Sequence, residues 1–252
     1  MDIQHDAGHG DGTEARLLAR VGLGAVTRMA ALAGMCLLLA QNAAAAPDCQ
    51  TAPAPGLDWR GCDKSNIVLQ DGNLEGADLV GTDFSASDLR GARLASANLE
   101  RATLVRTALA GANATKANFA KVQAYRSSFA HLSAEGASFA GAELQRSDFS
   151  GARLTGADFE KAELGRANFD KAVITGTRFS LANLARADLS GAVFEGSIEF
   201  GKAFMYLTRI EGLDLSAAIG LRQEQIDLAC GNADTKLPAG LSKPANWPCT
   251  FD

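Results

Sequence analysis

Side chains that could carry covalent or acid–base chemistry are few in this sequence. Of its three histidines, His5 and His9 lie near the N-terminus, which leaves His131 as the only histidine in the rest of the chain. Nucleophilic triads place a histidine beside a serine or a cysteine, and one histidine gives little scope for such a site. The sequence therefore predicts a protein that is not an enzyme and needs no cofactor.

The cysteines favour disulfides over a metal site. Apart from Cys36, four remain, and they are Cys49, Cys62, Cys230 and Cys249. Four cysteines allow three connectivities. Proximity in sequence favours Cys49–Cys62 and Cys230–Cys249, and each short loop is worth about 3 kcal/mol in the chain-entropy model. The alternative is a zinc site, but no CxxC spacing occurs, so no metal is predicted. Paired cysteines indicate an oxidising compartment.

The first 46 residues have the order typical of a secretory signal peptide. Arginines come first, an apolar run follows at residues 29–40, and four alanines end at Ala46. The apolar run is too short to span a bilayer comfortably. We expect a signal peptide at residues 1–46, cleavage near Ala46, a periplasmic or secreted protein, and no stable membrane span after cleavage. The alternative is an uncleaved N-terminal anchor.

A five-residue period organises the middle of the chain. From Leu69 to Phe194 there are 26 central positions, of which 13 are Leu, nine are Phe and one is Ile; the exceptions are Ala114, Ala124 and Ala134. Two residues before each centre is a small position, occupied by Ala in 16 repeats. A period of five fits neither the 3.6 residues of a helix nor the two of a strand. The chain must turn every five residues.

These repeats carry a resemblance to a known family. Copies such as Ala77-Asp78-Leu79-Val80-Gly81 resemble the A(D/N)LXX motif of pentapeptide-repeat proteins, over about residues 65–200. The resemblance implies an all-β fold, a right-handed quadrilateral β-helix with four pentapeptides per coil, in which the central and small residues point inward. Aspartates such as Asp78 and Asp83 then belong to the repeat's polar position and are better interpreted as turn and surface residues than as an acid–base pair.

The segments that flank the repeats are expected to close its ends. Residues 47–64 carry prolines, Trp59 and two cysteines, and we interpret them as an N-terminal cap. The repeat fades after Phe194, so a β-helix at 65–200 is expected to give way to a C-terminal cap at 201–252, with a short helix, a loop and the Cys230–Cys249 disulfide. The tail also resembles those of exported bacterial members of the family.

A coil of four repeats makes residues twenty apart neighbours, and this implication aligns five arginines. We call them the arginine column: Arg106, Arg126, Arg146, Arg166 and Arg186. Tyr206 is the next residue at this interval and is expected to stack on Arg186. Guanidinium groups present a planar fork to carboxylates and phosphates, so the column is a candidate surface for a polyanion. The alternative is a solvated corner, neutralised by Glu143, Glu163, Asp148 and Asp188.

Charge and location decide between two functions. The leading hypothesis is a non-catalytic exported scaffold that presents regular β-helix faces to a protein or an anionic envelope polymer, through the arginine column. The alternative comes from the family resemblance: a cytosolic protein that mimics DNA and interacts with gyrase or another topoisomerase. Residues 65–200 hold 16 acidic and 14 basic side chains, which is a poor mimic of DNA and gives no basic field for binding nucleic acid. The sequence does not specify an oligomeric state.

Overall fold

Parallel bridges between residues about twenty apart define the fold. The computed structural model describes residues 46–250, so the expected signal peptide lies, apart from Ala46, outside the described residues. The bridges begin at Asp58↔Asp78 and recur at every fifth residue, for example at Asp63↔Asp83. Four bridged positions in each twenty residues give every coil four sides. The bridges are isolated ones, without extended strands, and the one described helix is α1, Gln223–Leu228.

Backbone hydrogen bonds link each coil to both of its neighbours. The N–H of Leu79 donates to the carbonyl of Asn98 in the next coil (2.8 Å), and the N–H of Asn98 donates back to Ala77 (2.9 Å). The turn between two successive repeats is closed by the N–H of Thr82, which donates to the carbonyl of Leu79 (3.1 Å). Because short bridged sides alternate with tight turns, five residues complete one side and one corner.

The central and small positions fill the interior, as the repeat predicts. Every central residue from Leu74 to Leu189 has an exposed fraction of 0%. The rings of Phe119 and Phe139 stack at 4.8 Å between centroids, and Phe139 stacks on Phe159 at 4.7 Å. Phe129 meets Phe139 edge to face at 6.0 Å. These stacking distances match the spacing of neighbouring strands, about 4.8 Å, and therefore measure the rise of one coil.

Large and small residues exchange places in two repeats without leaving the interior. Val122 and Leu132 occupy small positions and are completely buried, and the centres that follow them are Ala124 and Ala134. The summed volume of each pair is roughly that of an ordinary repeat, and cores tolerate exchanges that conserve volume.

Cys49–Cys62 and Trp59 close the N-terminal end. Trp59 takes a central position with 1% exposure, and Cys62 takes a small position and bonds to Cys49. Lys64 stands at the next centre, where its Nζ lies 3.7 Å from the centroid of a Trp59 ring and donates to the carbonyl of Cys49 (2.5 Å). Burial lowers the pKa of Lys64. Since the first bridge is at Asp58, the coils begin inside the segment expected to be only a cap.

The coils also continue beyond residue 200, contrary to the expected fading of the repeat. Bridges from the last regular coil to the residues after Phe194 span 21 residues, as in Arg178↔Glu199 and Asn183↔Phe204, and bridges extend to Asp214↔Lys236. One extra residue therefore moves the register, so that Phe200 and Met205 are the buried centres instead of Glu199 and Phe204. At the expected boundary near residue 200 the coil stack therefore continues, with its register shifted by one residue.

Helix α1 and the second disulfide cover the C-terminal coils. The Gln225 side-chain amide donates to the carbonyls of Phe200 and Ala203, at 2.9 Å each, and Ile226 is fully buried. Cys230 bonds to Cys249. Both disulfides follow the pairing that proximity in sequence favours.

We predict that Phe139→Ala lowers the free energy of unfolding by about 3–5 kcal/mol, because the ring contacts Phe neighbours in three coils and would leave a cavity. Urea denaturation of the purified protein measures this loss. Val193→Ala is the control, since Val193 is 55% exposed and should change stability by less than about 0.5 kcal/mol. A loss at Phe139 of under about 1 kcal/mol would contradict the described packing.

We predict an acid-labile contact at the C-terminal coils. Hydrogen bonds from Lys236 and then Ser216 lower the pKa of Asp214 from 3.8 to about 2. Because the folded-state pKa is depressed, the contact stabilises the fold above about pH 4, and this stabilisation is lost as the pH falls to about 2. Melting temperatures of the wild type and Asp214→Asn should differ at neutral pH and converge near pH 2. A difference that is independent of pH would refute the assignment.

Candidate functional site

The arginine column lies along one corner of the coil stack. Its residues are twenty apart, each is exposed, and each takes the second position of the turn between two bridged sides. The backbone N–H of Arg146, for instance, donates to Gly165 in the next coil (2.9 Å). Four steps at the strand spacing of about 4.8 Å give a column about 19 Å long. We call this edge the arginine corner.

The arginine corner adopts a backbone conformation that favours glycine. The five arginines have φ angles between 57° and 61°, in the left-handed region. At the other corners glycine often takes this position, as Gly81, Gly151 and Gly156 do. The left-handed conformation costs a residue with a Cβ about 1–2 kcal/mol. Arginine at this position in five successive coils therefore costs backbone conformational energy that glycine would avoid.

No salt bridge to the arginine column occurs within residues 46–250. Three of the four carboxylates expected to neutralise it have other partners: Asn183 donates to Glu163 (2.7 Å), Asn168 donates to Asp148 (3.1 Å) and Arg209 pairs with Asp188 (2.6 Å). The fourth, Glu143, is exposed and forms no ion pair in the described part of the chain. Within residues 46–250, none of these four carboxylates forms a salt bridge with the arginine column.

Basic residues at a second corner behave differently. We call Arg101, Lys121 and Lys161 the lysine corner; they occupy the same turn position one side earlier in the coil. Arg101 and Lys121 both contact Glu100, at 3.2 and 3.3 Å, and Lys161 contacts Glu160 at 2.9 Å. The two corners thus share backbone geometry and charge, but only the lysine corner is paired with carboxylates.

The residue immediately before each arginine of the column is uncharged. Those that precede the five arginines are Val105, Tyr125, Gln145, Gly165 and Ala185. The guanidinium carbon of Arg126 lies 5.1 Å from the centroid of the Tyr125 ring, within the range of a cation–π contact. All five arginines are exposed to solvent beside these uncharged neighbours.

Buried hydroxyl groups hold the arginine corner from inside, and sequence reasoning missed them. The residues after Arg106, Arg126 and Arg146 are Thr107, Ser127 and Ser147. Their hydroxyls donate to carbonyls of the preceding coil: Thr107 to Phe84 (2.7 Å), Ser127 to Leu104, and Ser147 to Ala124 (2.7 Å). Buried hydroxyls need such partners. The signal in the sequence was a hydroxyl residue at the small position of this corner in four successive coils, since Ser87 precedes Thr107 by twenty residues and donates to Lys64 (2.7 Å).

Tyr206 does not continue the column. Because of the one-residue shift after Phe194, Leu207 takes the left-handed turn position above Arg186, with a φ of 53°. Tyr206 instead lies beside Phe204, with ring centroids 6.3 Å apart. The expected stacking of Tyr206 on Arg186 is therefore corrected.

The other candidate residues lie apart from the column. His131 is at a different corner, where its Nδ1 would lie 2.5 Å from a Cβ placed on Gly151 of the next coil, so the glycine makes room for the imidazole ring. The four cysteines lie at the two ends of the stack. Within residues 46–250 no group of three His, Cys, Asp or Glu residues could hold a metal ion. The same residues include no helix long and apolar enough to cross a membrane.

Comparisons with known proteins agree with the repeat. The family described as Pentapeptide repeats (8 copies) matches residues 69–104, 92–129, 125–162, 135–170 and 162–198. No curated protein matches the chain significantly.

Solved structures with the same kind of repeat are similar to the chain. HetL from Nostoc sp. strain PCC 7120, involved in heterocyst differentiation regulation, is 21% identical over 89% of this chain and 94% of its own, with a TM-score of 0.32. Full-length QnrB1, a plasmid-mediated fluoroquinolone resistance protein, is 20% identical over 74% of this chain and 93% of its own, with a TM-score of 0.37. A pentapeptide repeat protein of the Arabidopsis thaliana thylakoid lumen is 25% identical over 48% of this chain and 70% of its own, with a TM-score of 0.19.

We predict that the arginine column contributes nothing to stability. Arg146→Gly should leave the free energy of unfolding unchanged or raise it by up to about 1 kcal/mol, because glycine relieves the left-handed strain while adding chain entropy to the unfolded state. The control is Arg153→Gly at a bridged position, where Arg153 pairs with Glu135 at 2.5 Å; it should lower stability by about 0.5–1 kcal/mol. Urea unfolding measures both. A clear loss of stability in Arg146→Gly would assign the column a structural role.

Proposed function

The chain belongs to the pentapeptide repeat family, and from this premise we propose that it is a non-catalytic, exported interaction protein. In this proposal the coil stack is a right-handed quadrilateral β-helix, and its arginine corner is the surface that contacts a protein or an anionic envelope polymer. Cleavage of the first 46 residues delivers the mature protein to the periplasm or to the outside of the cell.

The observation that carries this proposal is the set of five arginines without carboxylate partners in residues 46–250. Arg binds carboxylates and phosphates through two parallel hydrogen bonds, which makes it suited to recognising anionic groups. The described carboxylates nearest in sequence are engaged elsewhere or form no ion pair, whereas those near the lysine corner pair with its basic residues. A partner with regularly placed anionic groups would complete the contacts that the chain itself leaves open.

The described chemistry of the repeat supports a non-catalytic role. Aspartates at the polar position accept hydrogen bonds from the backbone two residues later: Asp158 from the N–H of Glu160 (2.9 Å) and Asp148 from that of Ser150 (3.0 Å). Such local bonds stabilise the turns. Cys49, Cys62 and their C-terminal counterparts are bonded in disulfides, which removes their thiolates as nucleophiles.

Two observations support export. The order of arginines, apolar run and alanines in residues 1–46 is that of a secretory leader. Disulfides that close both ends of the stack persist in oxidising compartments and are rare in the cytosol. The near balance of acidic and basic residues at 65–200 and the unpaired arginines both disfavour the alternative of a DNA mimic that acts on a topoisomerase.

Fractionation of native cells tests the proposal. We expect the protein in the periplasmic or secreted fraction, with an N-terminus near residue 47 and all four remaining cysteines oxidised. A pull-down from the same fraction should recover a partner with the wild type and much less with the triple variant Arg126→Ser, Arg146→Ser and Arg166→Ser. An intact chain in the cytosol with reduced cysteines would overturn the proposal.

A further inference from the structure

We infer that one whole side of the coil stack, which we call the basic side, binds the surface of an anionic lipid membrane. The basic side runs between the lysine corner and the arginine corner, and its coils contribute the segments 101–106, 121–126, 141–146, 161–166, 181–186 and 202–207. The inference goes beyond the proposed function, because it adds a membrane contact on the same side of the stack, and it rests on the proposed export.

The basic side is positively charged although the chain as a whole is not. Its six segments hold nine lysines and arginines and only two acidic residues, Glu143 and Glu163, whereas the whole chain has a net charge of −5. Five of the nine are the arginine column, which has no salt-bridge partner within residues 46–250. Each basic residue held near an anionic membrane surface strengthens binding about fivefold.

Apolar side chains are exposed at the C-terminal end of the same side. Leu181 is 45% exposed, Phe204 50% and Tyr206 44%, and we call these three residues the apolar end. They lie on adjacent coils, because Asn183 bridges to Phe204 and the N–H of Leu181 donates to Gly201 (2.8 Å). Exposed groups of large apolar residues mark contacts with proteins or membranes.

The register shift creates the apolar end. In the regular five-residue period Phe204 would be a central residue inside the bore, but the shift makes Met205 the buried centre and places Phe204 at the outward bridged position. The same column holds only polar residues in the five coils before it, namely Thr103, Gln123, Glu143, Glu163 and Asn183. Basic residues flank the outward ring: Lys202 and Arg186 are both exposed. Long basic side chains can reach lipid headgroups while an apolar neighbour enters the bilayer.

The arrangement of charge and apolar surface favours a membrane over an acidic protein. A protein interface has its apolar hot spot near the centre, inside a polar rim. On the basic side the apolar end lies at one end, and the arginine column extends away from it for about 19 Å. A bilayer accommodates this arrangement, because aromatic residues enter the interface and basic residues stay among the headgroups. Lipids also diffuse laterally, so that their phosphates can gather at each arginine.

The two features are expected to act together. A single weak anchor gives only marginal and reversible membrane binding, and stable attachment takes two signals, such as an apolar group and a polybasic patch. The apolar end supplies the first and the arginine column the second. Tyr125, which is 36% exposed beside Arg126, adds one aromatic ring midway along the column.

Binding of the mature protein to lipid vesicles tests the inference. The probes are vesicles of phosphatidylcholine alone and of equal parts phosphatidylcholine and phosphatidylglycerol, and sedimentation measures the bound fraction. We expect binding to the anionic vesicles and little to the neutral ones. Raising the salt from about 0.1 M to about 1 M should weaken binding, because the Debye length falls from about 10 Å to about 3 Å.

Two matched triple variants separate the basic side from overall charge. Arg126→Ser, Arg146→Ser and Arg166→Ser together should weaken binding to the anionic vesicles by about thirtyfold or more, since three basic residues leave the membrane surface. Arg93→Ser, Lys116→Ser and Lys171→Ser remove the same charge around the opposite side of the coils and should change binding less than about threefold. Circular dichroism and thermal melting establish that both variants are folded.

A fluorescent probe tests insertion of the apolar end. Phe204→Trp places an indole at the apolar end, and Val193→Trp places one on the opposite side, where Val193 is also exposed. With brominated lipids in the anionic vesicles, emission of Phe204→Trp should be quenched and shifted to the blue. Val193→Trp should respond no more than the wild type, whose own residues Trp59 and Trp247 give the background.

Three results would overturn the inference: no binding of the wild type to anionic vesicles, equal losses in the two triple variants, or equal quenching at positions 204 and 193. Fractionation and pull-down judge the proposed function separately. An exported chain that recovers an acidic protein through the arginine column but binds no vesicles would refute the membrane contact and leave the proposed function standing.

Discussion

Pairing of each coil with the next through backbone hydrogen bonds is the constraint on which the rest of this structure depends. A side of the coil contributes one bridged residue, and the turn after it must bring the chain to the next side within five residues. The bore then has room for one large and one small side chain per side, which is why Leu or Phe alternates with Ala. Stacked Phe rings, such as Phe139 on Phe159, repeat at the same distance as the paired backbones. Packing and hydrogen bonding therefore impose the same rise.

The same constraint determines what the surface can display. Any residue type repeated at intervals of twenty becomes a straight line of side chains along the stack, whatever its cost to the local backbone. At the lysine corner, carboxylates such as Glu100 and Glu160 pair with the line. At the arginine corner, the line has no such partners within residues 46–250 and occupies a left-handed turn that glycine fills elsewhere. These two features together distinguish the arginine corner from the lysine corner.

Much of this arrangement could be predicted from the sequence because it follows from a local rule. The five-residue period predicts the buried centres, and the coil of four repeats aligns the arginines. The predictions fail where the five-residue period is interrupted. A single extra residue after Phe194 places Glu199 at an expected centre, so the repeat looks finished although Phe200 continues it. The same shift misplaces Tyr206. The partner of Asp188 is Arg209, which lies beyond the shift, so the occupation of that carboxylate could not be predicted either.

Each coil contacts little beyond its two neighbours, and this makes the chain modular along its axis. Duplication of a twenty-residue segment in the middle of the stack would insert one complete coil, with its own centres, turns and arginine, and would leave both disulfide-bonded ends unchanged. The length of the arginine column is thus a property that unequal recombination can lengthen or shorten in whole steps. Related proteins could carry longer or shorter columns in this way without redesign of any single contact.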